Sequence, residues 1–223
     1  NITKQIPKPL IKVKNNEFIF YLINYFIKNK VDEIVITTHY KSFLFFKYFK
    51  NNKFKNIKII KEKKPLGTGG SFLNAMRMIK NKKNVINILC NADTLLLFPI
   101  KFHLNKIKDK DYNLLVVKKK NCQKYGKVNI KSGNLTGINR NIKKSGYISS
   151  GYFFFKNFKQ SFVNTKSKNL NFEKDIIGQM IKKKIDINVI KLNAPFIDIG
   201  TPDDLKKADR FIQKNYNEFI KKL

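Results

Sequence analysis

The sequence predicts an α/β fold, a mostly parallel mixed sheet with helices on both faces. Two observations predict it. In the first half of the chain, helical and β-like apolar patterns alternate as helix, strand, helix, strand, helix, strand. One of those strands, VINILC, is apolar on successive positions, as expected of a central strand covered on both sides. The elements follow in order. Helices are expected over Glu17–Lys28, Ser42–Phe49, Ser71–Lys80, Phe172–Lys183 and Pro202–Ile220. Strands are expected over Glu33–Thr38, Ile57–Ile60, Val85–Cys90, Tyr112–Lys118, Lys127–Ile130, Gly151–Phe155, Ile185–Leu192 and Phe196–Ile199. The last helix has the clearest start. Thr201 caps it, Pro202 suits its first turn, and Asp203 and Asp204 suit its positive end. Leu205, Ala208, Ile212, Tyr216 and Phe219 then form a core-facing stripe.

Composition bounds the function. The chain has 223 residues, 42% of them hydrophobic and 20 of them Phe, enough for a real core in a single domain over 1–223. That excludes a disordered basic tail. Lys and Arg number 47 against 15 Asp and Glu, a formal charge of +32. Such a charge suits a nucleic-acid binder, but the lysines run from Lys4 to Lys222 without clustering. They are interleaved with Asn and Ile, whose codons are also A/T-rich, so base composition of the genome accounts for much of the charge; a phosphate-bearing substrate is a second source. No aromatic-basic stacking motif of a single-strand binder is visible, so no nucleic-acid partner is expected. The longest apolar stretch, Phe18 to Ile27, is interrupted by Asn24 and too short to span a bilayer. NITKQIPKPL contains no signal-type segment. Two cysteines make no disulfide framework, so a reducing, cytoplasmic setting without membrane attachment is expected.

Four segments carry candidate chemistry. In PLGTGG (Pro65–Gly70), glycines precede a helical pattern, either to let a ligand approach the backbone and helix N-terminus or simply to make a turn. Asp93 follows VINILC in Asn91-Ala92-Asp93-Thr94, where open α/β sheets place ligands. Asp198 ends FID just before the capped helix. Each aspartate alone reads as a turn or cap residue, but together they suit one Mg²⁺, which takes one or two carboxylates plus phosphate oxygens. Lys8, held between Pro7 and Pro9, is either a surface lysine or a fixed point charge for phosphate. His39, after a strand, and His103, in an expected loop, read as structural or surface residues. Cys90 reads as a buried core thiol and Cys122 as an exposed loop cysteine.

In this order, IPKPLIKV, EKKPLGTGGSFLNA, LCNADT, YGKV, SSGYFFF, NFEKDI and FIDIGTPDDL resemble the sugar-phosphate nucleotidyltransferase family from Ile6 to about Leu205. The nearest subgroup by resemblance acts on heptose 1-phosphate or mannose 1-phosphate with GTP. The resemblance implies a Rossmann-like fold of the nucleotide-diphospho-sugar transferase type. It also implies attack by a sugar 1-phosphate on a nucleoside triphosphate, with loss of pyrophosphate. By the family pattern Lys8, Asp93 and Asp198 are catalytic, and Asp93 and Asp198 hold Mg²⁺. Leu66, Gly67, Thr68 and Gly69 line base and ribose, and Gly126 and Glu173 face the sugar. Asn91, Arg140 and Ser149 complete the substrate-binding set. The chain departs from the pattern in several places. The family's first strand and GGxGTR-type phosphate loop do not precede Asn1, which suggests a fragment. Ala92 stands for a Gly, Asn139-Arg140 for a Glu-Lys pair and Ser149 for an Asn. Two alternatives follow: a non-catalytic relative that binds nucleotide sugars, or a basic nucleic-acid-binding protein.

Overall fold

A computed structural model describes residues 5–52, 54, 56–79, 85–163 and 169–221. The elements in chain order begin β1 (Lys12–Val13), β2 (Asn16–Glu17), α1 (Phe18–Lys28), β3 (Ile34–Thr38), α2 (Ser42–Asn52), β4 (Ile57–Lys61) and α3 (Gly67–Met78). They continue with β5 (Asn87–Leu89), β6 (Thr94–Leu96), α4 (Ile100–Lys108), β7 (Tyr112–Lys119), β8 (Lys127–Lys131), β9 (Asn134–Asn139) and β10 (Gly146–Phe155). A π-helical turn, Phe172–Ile177, leads into α5 (Gly178–Lys182). Last come β11 (Asn188–Leu192), β12 (Phe196–Asp198), α6 (Pro202–Phe211), a second π-helical turn (Ile212–Tyr216) and α7 (Asn217–Lys221).

The chain divides into two compact units. The first comprises Asn1–Pro65, Ala92–Lys101 and Pro195–Leu223. Its α1 is apolar on most sides and buries Phe18, Ile19, Tyr21, Leu22, Ile23, Tyr25 and Phe26, so it is an interior helix. β3 and β4 pair in parallel through the crossover helix α2. Leu10, Ile19, Ile23, Phe45 and Phe49 pack there with Ile34, Ile36, Ile57 and Ile59. β12 pairs antiparallel with β6, opposing Asp198 to Thr94. Thr201 caps α6 in a reciprocal box: its hydroxyl accepts from Asp204 N–H, and the Asp204 carboxylate accepts from Thr201 N–H. Ala208, Ile212 and Tyr216 of the expected stripe are buried.

The second unit comprises Leu66–Asn91 and Phe102–Ala194. Its sheet has six strands in the order β5-β10-β7-β11-β9-β8. β10 is central to the pairing, antiparallel to β5, β7 and β8. Its register against β7 shifts between Ser149 and Phe153, which marks a bulge. Phe72, Leu114, Val116, Phe153, Phe172 and Ile176 lie in one buried cluster with α3 and the π-helical turn against the sheet.

The α/β class stands, but strand direction is more mixed than expected. Among the described pairings only β3–β4 and β7–β11 are parallel. Tight connections such as Ser132–Gly133 between β8 and β9 force antiparallel neighbours, and only a crossover element yields parallel ones. VINILC shortens to β5, which ends the described strand order with half-buried residues, not a covered central strand. The short β1, β2 and β6, together with β9 and α4, were not expected from the pattern. His103 belongs to α4 and not to a loop. The thiols exchange roles: Cys122 is fully buried and Cys90 is half-buried. The end of the expected helix at Lys80 lies outside the described residues, and α3 is described to Met78.

Candidate active site

In the first unit, the β6–β12 pair brings the two expected aspartates together. Asp93 immediately precedes β6 and its carbonyl accepts Ile199 N–H at 3.0 Å. Asp198 ends β12 opposite Thr94, and its carboxylate accepts Gly200 N–H. Antiparallel pairing therefore does what their separation in sequence concealed. Burial raises the Asp93 carboxyl above its usual range, and the like charge of Asp198 raises it further. The Lys8 charge acts in the opposite direction on the same carboxyl. Lys8 is anchored there because its Nζ donates to Gly200 O at 2.9 Å. The Pro7-Lys8-Pro9-Leu10 segment forms a short 3₁₀ turn, with Leu10 N–H donating to Pro7 O at 2.8 Å, so the ammonium stands on a fixed backbone.

The two carboxylates of this trio suit a divalent cation, and the Lys8 ammonium suits an anion beside it. Two mutually repelling carboxylates, one partly desolvated, gain from a positive charge between them. Among the described residues no group of three or more His, Cys, Asp or Glu side chains converges to hold a metal. A cation on Asp93 and Asp198 would thus take its remaining oxygens from water and phosphate, the donor set Mg²⁺ prefers.

The remaining expected residues lie in the second unit. The glycines of PLGTGG are close-packed against the segment Asn169–Phe172. Gly67 has φ +70°, and a Cβ there would lie 2.2 Å from Asn169 Oδ1 and 2.4 Å from Leu170 O. A Cβ on Gly69 would lie 3.1 Å from the Asn171 carbonyl carbon. Gly69 N–H donates to Leu170 O at 2.7 Å, and Leu170 N–H donates to Leu66 O at 2.9 Å. Of the two readings of the motif, chain–chain packing alone demands Gly67 and crowds Gly69, whatever else binds there. Thr68 also turns inward to this segment, its hydroxyl accepting Phe172 N–H at 2.9 Å.

Glu173 sits in the π-helical turn that follows, and Arg140 Nη2 donates to Glu173 Oε2 at 3.3 Å. Gly126 admits the Ile138 side chain, whose Cγ2 would be 2.3 Å from a Cβ at that position. Ser149 is buried at the β10 bulge and its hydroxyl accepts Gly151 N–H at 3.3 Å. Gly151, at φ +76°, leaves room for Asn91, whose Nδ2 would be 2.9 Å from a Cβ there. The described contacts thus join the glycine loop to 169–172, Arg140 to Glu173, and Asn91 to the bulge. His39 is exposed, as a surface reading expects.

Sequence reasoning identified NFEKDI and a helix from Phe172, but missed the packing of 169–171 on the glycine loop and the caps at Asn171. Asn171 Oδ1 accepts Lys174 N–H at 2.9 Å, and Asn171 N–H donates to Asp175 Oδ2 at 2.6 Å. An Asn four residues before an Asp at a helix start was the available signal. It also missed Glu62, which is buried with Oε1 lacking a hydrogen-bond partner among the described residues.

The chain belongs to the nucleotidyl transferase family, whose model matches residues 1–215. It is 29% identical over 221 residues to the D-glycero-alpha-D-manno-heptose 1-phosphate guanylyltransferase of Aneurinibacillus thermoaerophilus, covering 96% of this chain and 92% of that protein. It is 30% identical over 209 residues to the enzyme of the same name from Campylobacter jejuni, covering 92% and 90%. Its fold is similar to the crystal structure of HddC from Yersinia pseudotuberculosis, with TM-score 0.77, 26% identity, and 92% and 89% of the two chains covered. A second HddC structure, complexed with GMP-PN, matches at TM-score 0.77 and 25% identity, covering 92% and 89%. No helix among the described residues is long and apolar enough to cross a membrane.

Proposed function

We propose that this chain transfers a guanylyl group from GTP to a sugar 1-phosphate, with heptose 1-phosphate as first choice and mannose 1-phosphate as second. One sugar-phosphate oxygen bonds to the α-phosphorus of GTP, the bond from that phosphorus to the bridging oxygen breaks, and pyrophosphate leaves. The attacking phosphate is already ionised, so no general base is needed, which agrees with both histidines lying outside the aspartate pair. The observation that supports the reading most is the meeting of Asp93 and Asp198 beside the Lys8 ammonium.

Asp93 and Asp198 would hold Mg²⁺, and the cation when bound supplies charge neutralisation to the reacting phosphates. Lys8 places a fixed positive charge beside the same carboxylates, suited to a triphosphate oxygen. In this reading Leu66, Gly67, Thr68 and Gly69 line base and ribose through their backbone. Asn91, Gly126, Arg140, Ser149 and Glu173 surround the sugar phosphate. An open groove lined by Lys127, Lys143, Lys144 and Asn139 adds positive field next to Arg140 in sequence, and the net charge of +32 steers anionic substrates. A cytoplasmic location suits a consumer of nucleoside triphosphates with two cysteines outside any disulfide.

The test is pyrophosphate release by the protein with GTP, ATP, UTP and CTP against a panel of sugar 1-phosphates, with Mg²⁺ and with EDTA. GTP with heptose or mannose 1-phosphate should be fastest, and EDTA should stop it. No release with any pair overturns the enzyme, and would leave a relative that binds nucleotide sugars without turning them over. Release that survives EDTA overturns the metal.

A further inference from the structure

The glycine loop and the acidic turn are joined more closely than two binding segments need to be. Leu66 and Gly69 exchange backbone hydrogen bonds with Leu170, Gly67 has no room for a side chain against 169–170, and Gly69 is tightly packed against 170–171. These contacts hold the loop against residues up to 171. The next residue, Phe172, is buried, and its N–H donates to the Thr68 hydroxyl at 2.9 Å. Glu173 follows directly, on a turn stiffened by the reciprocal Asn171–Lys174 and Asn171–Asp175 bonds. Thr68 is therefore the loop side chain that sets where this turn begins, and its hydroxyl is occupied in doing so. The bond is part-buried, and a partly desolvated N–H that loses its acceptor loosens the start of the turn.

We infer that Thr68 is a positioning residue for Glu173: the nucleotide loop sets the carboxylate that faces the sugar, and Thr68 is the link. This rests on the reading above that Glu173 faces the sugar. It makes Thr68 matter for the substrate it does not line.

The test compares Thr68→Val, which keeps shape and removes the acceptor, with Thr68→Ser, which keeps the acceptor. Thr68→Val should raise KM for the sugar 1-phosphate about tenfold, and by a larger factor than KM for GTP. Thr68→Ser should restore the sugar KM. Amide exchange at Phe172 should accelerate in the Val variant alone. A rise in the GTP KM with an unchanged sugar KM overturns the inference, as does unchanged exchange at Phe172. Glu173→Gln separates the two layers. If it raises the sugar KM while Thr68→Val does not, the positioning role is wrong. If neither does, the placement of Glu173 at the sugar is wrong, and Phe172 exchange still reports on the link itself.

Discussion

The aspartate pair of the first unit and the glycine loop of the second solve opposite problems. At Asp93 the protein leaves electrostatic strain unrelieved: burial and the neighbouring Asp198 both oppose its ionisation, and Lys8 offsets only part of that. At PLGTGG almost nothing is left unrelieved. The Gly69 amide and the Thr68 hydroxyl are occupied by 170–172, and the space beside Gly67 is filled. In the proposed reading the destabilised charge is where a cation and phosphates would bind, whereas the loop is built for shape. A glycine-rich motif is thus as much a statement about neighbouring chain as about ligand.

The comparison is sharpened most by removing a member of the charged pair. Asp198→Asn should lower kcat/KM more than about 100-fold, beyond the loss typical for a residue that merely orients a metal ligand, with the circular dichroism spectrum intact. Retained pyrophosphate release would deny the pair its role. In the loop, Gly67→Ala forces a Cβ into Leu170 O at a left-handed φ, and should cost at least about 2 kcal/mol of stability. Thermal unfolding should show a drop of roughly 4 °C or more. Gly133→Ala is the control, since its φ is +80° but nothing lies within 4 Å, so strain alone remains and the drop should be smaller.

Asp93→Asn tests the contrast in the other direction. A carboxyl whose pKa is raised by folding opposes the fold once ionised, and that opposition fades as pH falls through the raised value towards the ordinary one. The metal-free Asn variant should therefore melt above wild type at neutral pH, with the gain shrinking on acidification, while losing activity. A variant that melts lower at neutral pH would contradict the burial and charge argument. Mg²⁺ affinity of the wild type should begin to fall at higher pH than for an ordinary carboxylate. The smallest effect is expected at Arg140. Its ion pair with Glu173 is largely exposed, so Arg140→Gln should change stability by less than about 0.5 kcal/mol in thermal unfolding.

Much of this site was legible in one dimension. Asp93 and Asp198 stood out as a pair of carboxylates at strand ends that together suit one cation, although each alone reads as a turn or cap residue. Lys8 stood out between two prolines, and Thr201 with Asp204 announced its capping box. Three kinds of feature were hidden. The short β1, β2 and β6 carry too few residues to show a period of two. The antiparallel pairings of β10 depend on which distant strand it meets. Cys90 and Cys122 exchanged their expected burial because a lysine-rich neighbourhood says little about a loop that folds under.

Sequence alone therefore determined the α/β class, the chemical types at the site and the local turns and caps, because these follow from periodicity, residue chemistry and contacts within a few positions. Only the tertiary structure decided that Asp198 stands across a strand pair beside Asp93, that Arg140 finds its carboxylate at Glu173, and that Gly67 and Gly69 face residues 169–171. Each of those depends on partners tens of residues away, and no local pattern encodes which distant segment will arrive.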